Sequence, residues 1–276
     1  MRTGLSMYSL VELYRNRPGV AAFLRQAKEW QLEGVELLDF FWQDKDRELK
    51  EAIALKEELG IEVYSYSISN NFVEPDPVKR TEQLEKIADA VETAGRLGAK
   101  VIRVFCGDSK EGISFEQASS WIAEGLTAGT ALAESAGLTL ALENHGLFAG
   151  RAEQVSRIIA QVGSDALRAT LDTGNFLLVD EDPVESVRRL AAQAALVHFK
   201  DFKAVGPEAT ERVYLSKAGK RYQGTVIGQG DVDLPAIVSL LKDSGYQGFL
   251  SIEFEGAGPA LASVEESIKY VKRIIG

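Results

Sequence analysis

Four side chains able to hold a cation recur at one kind of position in this chain. Glu143 closes the apolar run of LALENHG, Asp172 stands in LDTGN, His198 in VHFKD and Glu253 in SIEFEG. Taken singly, each has an ordinary reading as a salt-bridged carboxylate or a satisfied core histidine. Brought together, they would repel one another and lose their hydration unless a cation neutralised them. Three carboxylates and one imidazole form a hard, oxygen-rich set. It suits Mn²⁺, Mg²⁺ or Co²⁺ better than a structural zinc site, with Zn²⁺ as the remaining candidate.

The elements that must position these residues are legible. Short apolar runs lie at 5–10, 34–41, 61–68, 100–107, 138–146, 167–175, 195–202 and 249–256, and they read as eight strands. Helical periodicity fills the intervals, as with Leu84, Ile87, Ala88, Val91, Ala94 and Leu97. Ser114 with Gln117 and Ser263 with Glu266 fit capping boxes, and Asp182 before Pro183 fits an N-cap. Gly34, Gly60, Gly98, Gly137 and Gly245 each precede a strand by a few residues, which suits a helix ending in the left-handed conformation. The helix-to-strand loops are therefore short and uniform. The strand-to-helix loops are long and polar, above all residues 203–232, and a loop of that length is usually functional. One plain face and one elaborate face predict a (β/α)₈ TIM barrel, one domain over 1–276, with chemistry at the C-terminal ends of the strands. A doubly wound open sheet is the runner-up. In the closed barrel the last four strands put the four candidate ligands around one quadrant of the mouth.

Composition narrows the partners. A net charge of −10 opposes a nucleic-acid partner. The single cysteine, Cys106, excludes an internal disulfide framework and a multi-cysteine zinc site, and reads as a buried thiol. Neither a membrane span nor a secretory leader is legible, so the expected compartment is the reducing cytoplasm, with no membrane partner. GQGDVD is glycine-rich but lacks dinucleotide-binding spacing, and reads as a chain reversal leading into the last-but-one helix.

LENHG, LDTGN, VHFKD, IGQGDVDL and GYQGFLSIEFEG together resemble the sugar phosphate isomerase/epimerase superfamily, the xylose isomerase-like TIM barrels, over nearly the whole chain. The resemblance implies metal ligands at Glu143, Asp172, His198 and Glu253. It also implies a small carbohydrate substrate and proton transfer next to a carbonyl through an enediolate, with Glu143 and Glu253 as the catalytic pair. In that setting LENHG is a metal ligand followed by substrate-facing polar residues. His145, Lys200, Arg103, Asn175 and Glu36 are the expected substrate contacts, with an auxiliary acid/base or a purely structural role as the alternatives for His145. Lys200 has a salt bridge to Asp201 or another loop carboxylate as its alternative, and Arg103 a site carboxylate. The basic residues Lys203, Lys217, Lys220 and Arg221 of the long loop are placed to close over substrate or to cap a neighbouring subunit; a homo-oligomer stays open.

The chain departs from the ketohexose epimerases where it carries Asn175 in place of their histidine, and in HFKDFK, which has no match for their arginine. A modified or oxidised sugar is the better expectation. The nearest rival is a lyase of the inosose or dehydroshikimate dehydratase type, which starts with the same proton abstraction. An apurinic-site endonuclease would need a histidine-rich three-metal cluster, and this chain has two histidines. A non-catalytic sugar-binding barrel completes the alternatives.

Overall fold

The structure is a computed structural model that describes residues 1–15 and 19–276. Among these residues eight parallel strands close into a barrel: β1 (Arg2–Ser6), β2 (Gly34–Leu38), β3 (Glu62–Ser67), β4 (Val101–Val104), β5 (Thr139–Glu143), β6 (Leu167–Asp172), β7 (Ala194–Phe199) and β11 (Phe249–Ile252). Three further strands, β8 (Phe202–Ala204), β9 (Val213–Leu215) and β10 (Arg221–Gly224), form a separate antiparallel sheet in the order β8-β10-β9. The barrel closes where Leu5 pairs with Ile252 on one side and with Val35 on the other. Its strands alternate with α2 (Val20–Glu29), α3 (Lys45–Leu59), α4 (Pro77–Leu97), α5 (Phe115–Ser135), α6 (Ala152–Val162), α8 (Pro183–Leu190), α9 (Leu234–Asp243) and α10 (Ala260–Ile275). Two single-turn helices, α1 (Val11–Tyr14) and α7 (Asn175–Leu178), decorate the mouth. No described helix is long and apolar enough to cross a membrane.

The local signals act largely as expected. Gly60, Gly98, Gly137 and Gly245 all have positive φ at or just past a helix end. Gly34 does not. Helix α2 is closed by Trp30 and by Gln31, whose φ is +54°, and Gly34 is already the first residue of β2. Its glycine is required by packing, because a Cβ there would lie 2.6 Å from Phe249 Cζ. Ser114 and Gln117 form the capping box, and the Asp182 carboxylate accepts from Glu185 N–H at 2.9 Å. Ser263 is not a cap. Helix α10 begins at Ala260, and Ser263 lies buried inside it. The first strand is Arg2–Ser6 rather than 5–10, because Ser6 Oγ accepts from Tyr8 N–H and turns the chain into a 3₁₀ segment, Met7–Leu10. Ser9 Oγ then donates to the Ile252 carbonyl at 3.0 Å and accepts from Phe254 N–H at 2.9 Å, tying that turn to the end of β11.

The expected long loop after β7 is the three-stranded sheet. It is pinned on two sides. Asp180 accepts from Ser216 Oγ at 2.8 Å and from Ala218 N–H at 2.7 Å, while Arg212 donates to the Gly256 carbonyl at 3.0 Å. Asp180 and Arg212 both sit in the left-handed region, with φ of +57° and +46°, a cost their contacts offset. The turn GQGDVD wraps around Asp201, which accepts from the N–H groups of Gly228 and Gly230 at 2.9 Å each and of Val232 at 3.2 Å. Opposite the mouth, Tyr64 stacks on Phe249 at 4.1 Å between centroids and plugs the barrel floor with Leu196.

Candidate metal centre

Glu143 and Asp172 are the last residues of β5 and β6, His198 is the penultimate residue of β7, and Glu253 directly follows β11. These four strands are neighbours in the order β11-β7-β6-β5, and the parallel register sets Asp172 beside His198. One ligand atom from each of Glu143, Asp172, His198 and Glu253 lies within 4.8 Å of all the others. All four are buried.

The histidine is the most informative member. Its Nε2 lies 3.1 and 3.0 Å from the two oxygens of Glu36, which also accepts from Ser67 Oγ and, at 2.8 Å, from Ser251 Oγ. The other ring nitrogen, Nδ1, has no hydrogen-bond partner. It faces Glu253 Oε2 at 3.6 Å, Glu143 Oε2 at 3.7 Å and Asp172 Oδ2 at 4.0 Å. A carboxylate on the far ring nitrogen is the usual device for aiming a histidine at a metal. Without a cation, burial opposes a second ring proton but the carboxylates of Glu36, Glu253 and Glu143 outweigh it, so His198 titrates far above its ordinary range. A divalent ion would occupy the place of that proton. Asp172 points to the same conclusion. Its Oδ1 accepts from the N–H groups of Gly174 and Asn175, at 2.9 Å each, whereas Oδ2 has no aligned hydrogen-bond donor and meets the Lys200 ammonium across the site. Burial, and then Glu143 and Glu253, push its carboxyl up to about 7 against the pull of Lys200. The residues present therefore fit a divalent ion: a buried nitrogen without a hydrogen-bond partner and a buried oxygen met by the Lys200 ammonium, converging with two more carboxylates.

Two cations border the quartet. Arg103 Nε lies 3.1 Å from Glu143 Oε2, and Arg103 Nη1 donates to the Ile68 carbonyl at 2.9 Å. Burial opposes ionisation of Glu143, but Arg103 and His198 prevail and hold it well below the usual carboxylate range. Lys200 Nζ lies 2.9 Å from Asp172 Oδ2, 2.8 Å from Glu253 Oε2 and 2.7 Å from Glu255 Oε1. It does not pair with Asp201.

A cavity of about 550 Å³ opens above the quartet, and Glu143, Glu253, Arg103, His145 and Lys200 are on its wall. His145 packs against Phe105, with ring centroids 4.5 Å apart. Two expected substrate contacts are elsewhere. Glu36 is fully buried beneath His198, and its oxygens are engaged by His198, Ser67 and Ser251. Asn175 Nδ2 reaches Glu143 Oε1 at 3.2 Å and the Asn144 carbonyl at 3.1 Å, so this amide fixes a candidate ligand rather than lining the cavity. Lys203, Lys217, Lys220 and Arg221 also lie off the cavity wall. Arg221, for one, is turned back to the Ala209 carbonyl at 2.6 Å.

Sequence reasoning missed two residues. Asn144, expected to face substrate, is fully buried: it accepts from Asp172 N–H at 2.7 Å and donates to the Asp172 carbonyl at 2.9 Å, stitching the ends of β5 and β6 together. Glu255 joins Lys200 to Tyr214, whose hydroxyl donates to Glu255 Oε2 at 2.7 Å. Its signal was the two-residue spacing from Glu253, which returns a side chain to the same side of an extended chain.

The fold and the strand-end quartet define a parallel barrel with a candidate metal centre on one side of its mouth. Residues 24–274 match the xylose isomerase-like TIM barrel family, and the chain belongs to that family. It is 28% identical over 242 residues to an inosose dehydratase of Clostridium perfringens, covering 82% of this chain and 79% of that one. Among solved structures it is similar to the IolI protein with a bound zinc atom, at 18% identity and a TM-score of 0.78, covering 100% of this chain and 98% of that one. It is also similar to the 3-keto-D-glucoside 4-epimerase YcjR of E. coli, at 15% identity and a TM-score of 0.79, with 99% of each chain covered.

Proposed function

We propose that this chain is a divalent-metal-dependent isomerase or epimerase that moves a proton at the carbon next to a carbonyl in a small sugar or sugar derivative. The observation that carries this reading is the unpartnered His198 Nδ1 among three carboxylates, two of which reach the cavity wall. Glu143, Asp172, His198 and Glu253 would hold the ion, with Mn²⁺, Mg²⁺ or Co²⁺ favoured by the oxygen-rich set and Zn²⁺ the alternative. When bound, the ion supplies Lewis-acid polarisation of the carbonyl, which acidifies the neighbouring C–H.

The chain's own residues supply the proton handling. Glu143 and Glu253 come from β5 and β11, the outer two of the four ligand strands, so they approach a substrate from different sides. Arg103 and His198 keep Glu143 ionised, the form that accepts a proton, while lowering its basicity, so the acidity of the substrate C–H must be raised to match. Glu253 is positioned to return one. The Lys200 ammonium can donate to a substrate oxygen, and His145 stands on the same wall.

A second reading is a lyase, favoured by the relative named inosose dehydratase. The first step is the same, and a β-hydroxyl then departs as water. One experiment tests both readings: incubation of the metal-loaded protein in D₂O with ketoses, keto-glycosides and inososes, followed by mass spectrometry and absorbance. One deuterium gained with composition retained supports epimerisation. Loss of water with a new enone absorbance supports elimination. A metal-loaded protein that exchanges no α-proton on any of these substrates sinks both.

A further inference from the structure

We propose that Lys200 is the site's own counter-cation, which competes with the metal for Asp172 and Glu253, and that Glu255 is the carboxylate that draws it aside. The proposal rests on the metal-centre reading above. The oxygens of Asp172 and Glu253 nearest His198 Nδ1, Oδ2 and Oε2, are also the ones within 2.9 and 2.8 Å of Lys200 Nζ. An ammonium and a divalent ion drawn to the same two oxygens repel each other in a buried site, where water screens little.

The lysine can yield only at its head. Thr173 Oγ1 donates to the Lys200 carbonyl at 2.6 Å and accepts from its N–H at 3.0 Å, which fixes its backbone beside β6. Its ammonium has one other carboxylate within reach, Glu255 at 2.7 Å, which is not among the four ligands. Glu255 is held independently of them. Its second oxygen accepts from Tyr214, on the small sheet that Asp180 and Arg212 pin to the barrel. The Tyr214–Glu255 pair is thus an anchored partner to which Lys200 retreats when the metal arrives.

The test is Mn²⁺ affinity, read as free ion by electron paramagnetic resonance on the full chain, with circular dichroism to verify folding. Lys200→Met is expected to tighten Mn²⁺ binding by about tenfold, and Glu255→Gln to weaken it by about tenfold, the scale on which groups around a ligand set act. In the double variant the effect of Glu255→Gln should vanish, leaving affinity within about twofold of Lys200→Met alone. If Glu255→Gln weakens binding equally in both backgrounds, Glu255 acts directly on the ion and the proposal fails. Unchanged or weaker binding in Lys200→Met overturns it as well, while the metal centre stands. No Mn²⁺ binding in any of the proteins removes the metal centre and the proposal with it. If Lys200→Met does not fold, Glu255→Gln and Tyr214→Phe carry the test: both should weaken binding, and wild-type affinity in both overturns the proposal.

Discussion

Glu36 Oε2 lies 3.0 Å from His198 Nε2, with both side chains fully buried and two strands, β1 and β11, between their own. The pair spans the barrel interior and decides which nitrogen of the only fully buried histidine faces the three carboxylates. Glu36→Gln should lower Mn²⁺ or Co²⁺ affinity by about 10- to 100-fold, because the ring loses the anionic acceptor that fixes its tautomer and raises its basicity. Glu36→Ala should in addition cost about 3 to 5 kcal/mol in apo-protein stability, as expected when one partner of a buried pair is removed. Titration calorimetry and urea unfolding measure the two effects separately. Wild-type metal affinity in Glu36→Gln would remove the orienting role.

Metal should stabilise the fold. The quartet is assembled only in the native barrel, so an ion that binds it gains nothing from the unfolded chain. At a hundredfold excess over Kd the gain is about 2.7 kcal/mol. Scanning calorimetry should show a rise in Tm with Mn²⁺ or Co²⁺ that EDTA reverses. Asp172→Asn and Glu143→Gln should suppress it. A wild-type Tm indifferent to every divalent ion would contradict the site.

Cys106 should be inert in the native protein. Burial, with Asp108 adding to it, pushes its thiol up to about 12. At pH 8 the folded protein should not react with a disulfide reagent such as DTNB, whereas the denatured chain should release one equivalent. The neutral thiol is favoured by the fold, so its contribution to stability is whole below the unfolded thiol's range and is lost as pH rises from there toward about 12. Rapid, stoichiometric labelling without denaturant would contradict this burial.

The barrel floor should be separable from the mouth. A Cβ at Gly34 would lie 2.6 Å from Phe249 Cζ and 2.9 Å from Tyr64 Cδ1. Gly34→Ala should therefore cost about 1 to 3 kcal/mol through overpacking, with Mn²⁺ affinity retained in the folded fraction. Denaturant unfolding beside a binding titration distinguishes this from a change at the site. A loss of affinity at full stability would mean the floor and the quartet are coupled.

Much of this was legible before folding because it is local. A glycine that must be left-handed at the end of α3 or α4, and a Ser-x-x-Gln that closes on itself at Ser114, depend on a few neighbouring residues. The strand ends at Glu143 and Asp172 show because apolar runs end there. Where local rules failed, a distant residue had decided. Gly34 resembles a helix stop but answers to Phe249 and Tyr64. Ser263 resembles a cap but lies inside α10. The segment after β7 has no strong strand pattern and becomes a sheet through its anchors at Asp180 and Gly256.

The sequence by itself determined the barrel and the four ligand candidates, since both follow from periodicity and from where polar residues interrupt it. Only the tertiary structure decided the parts played by Glu36, Asn144, Asn175, Lys200 and Glu255. Their types alone suit substrate contact, a salt bridge or a structural hydrogen bond equally well. Which of these each one makes depends on what the closed barrel sets opposite it: His198 above Glu36, the Asp172 backbone beside Asn144, Glu143 beside Asn175, and the carboxylates of Asp172, Glu253 and Glu255 around Lys200.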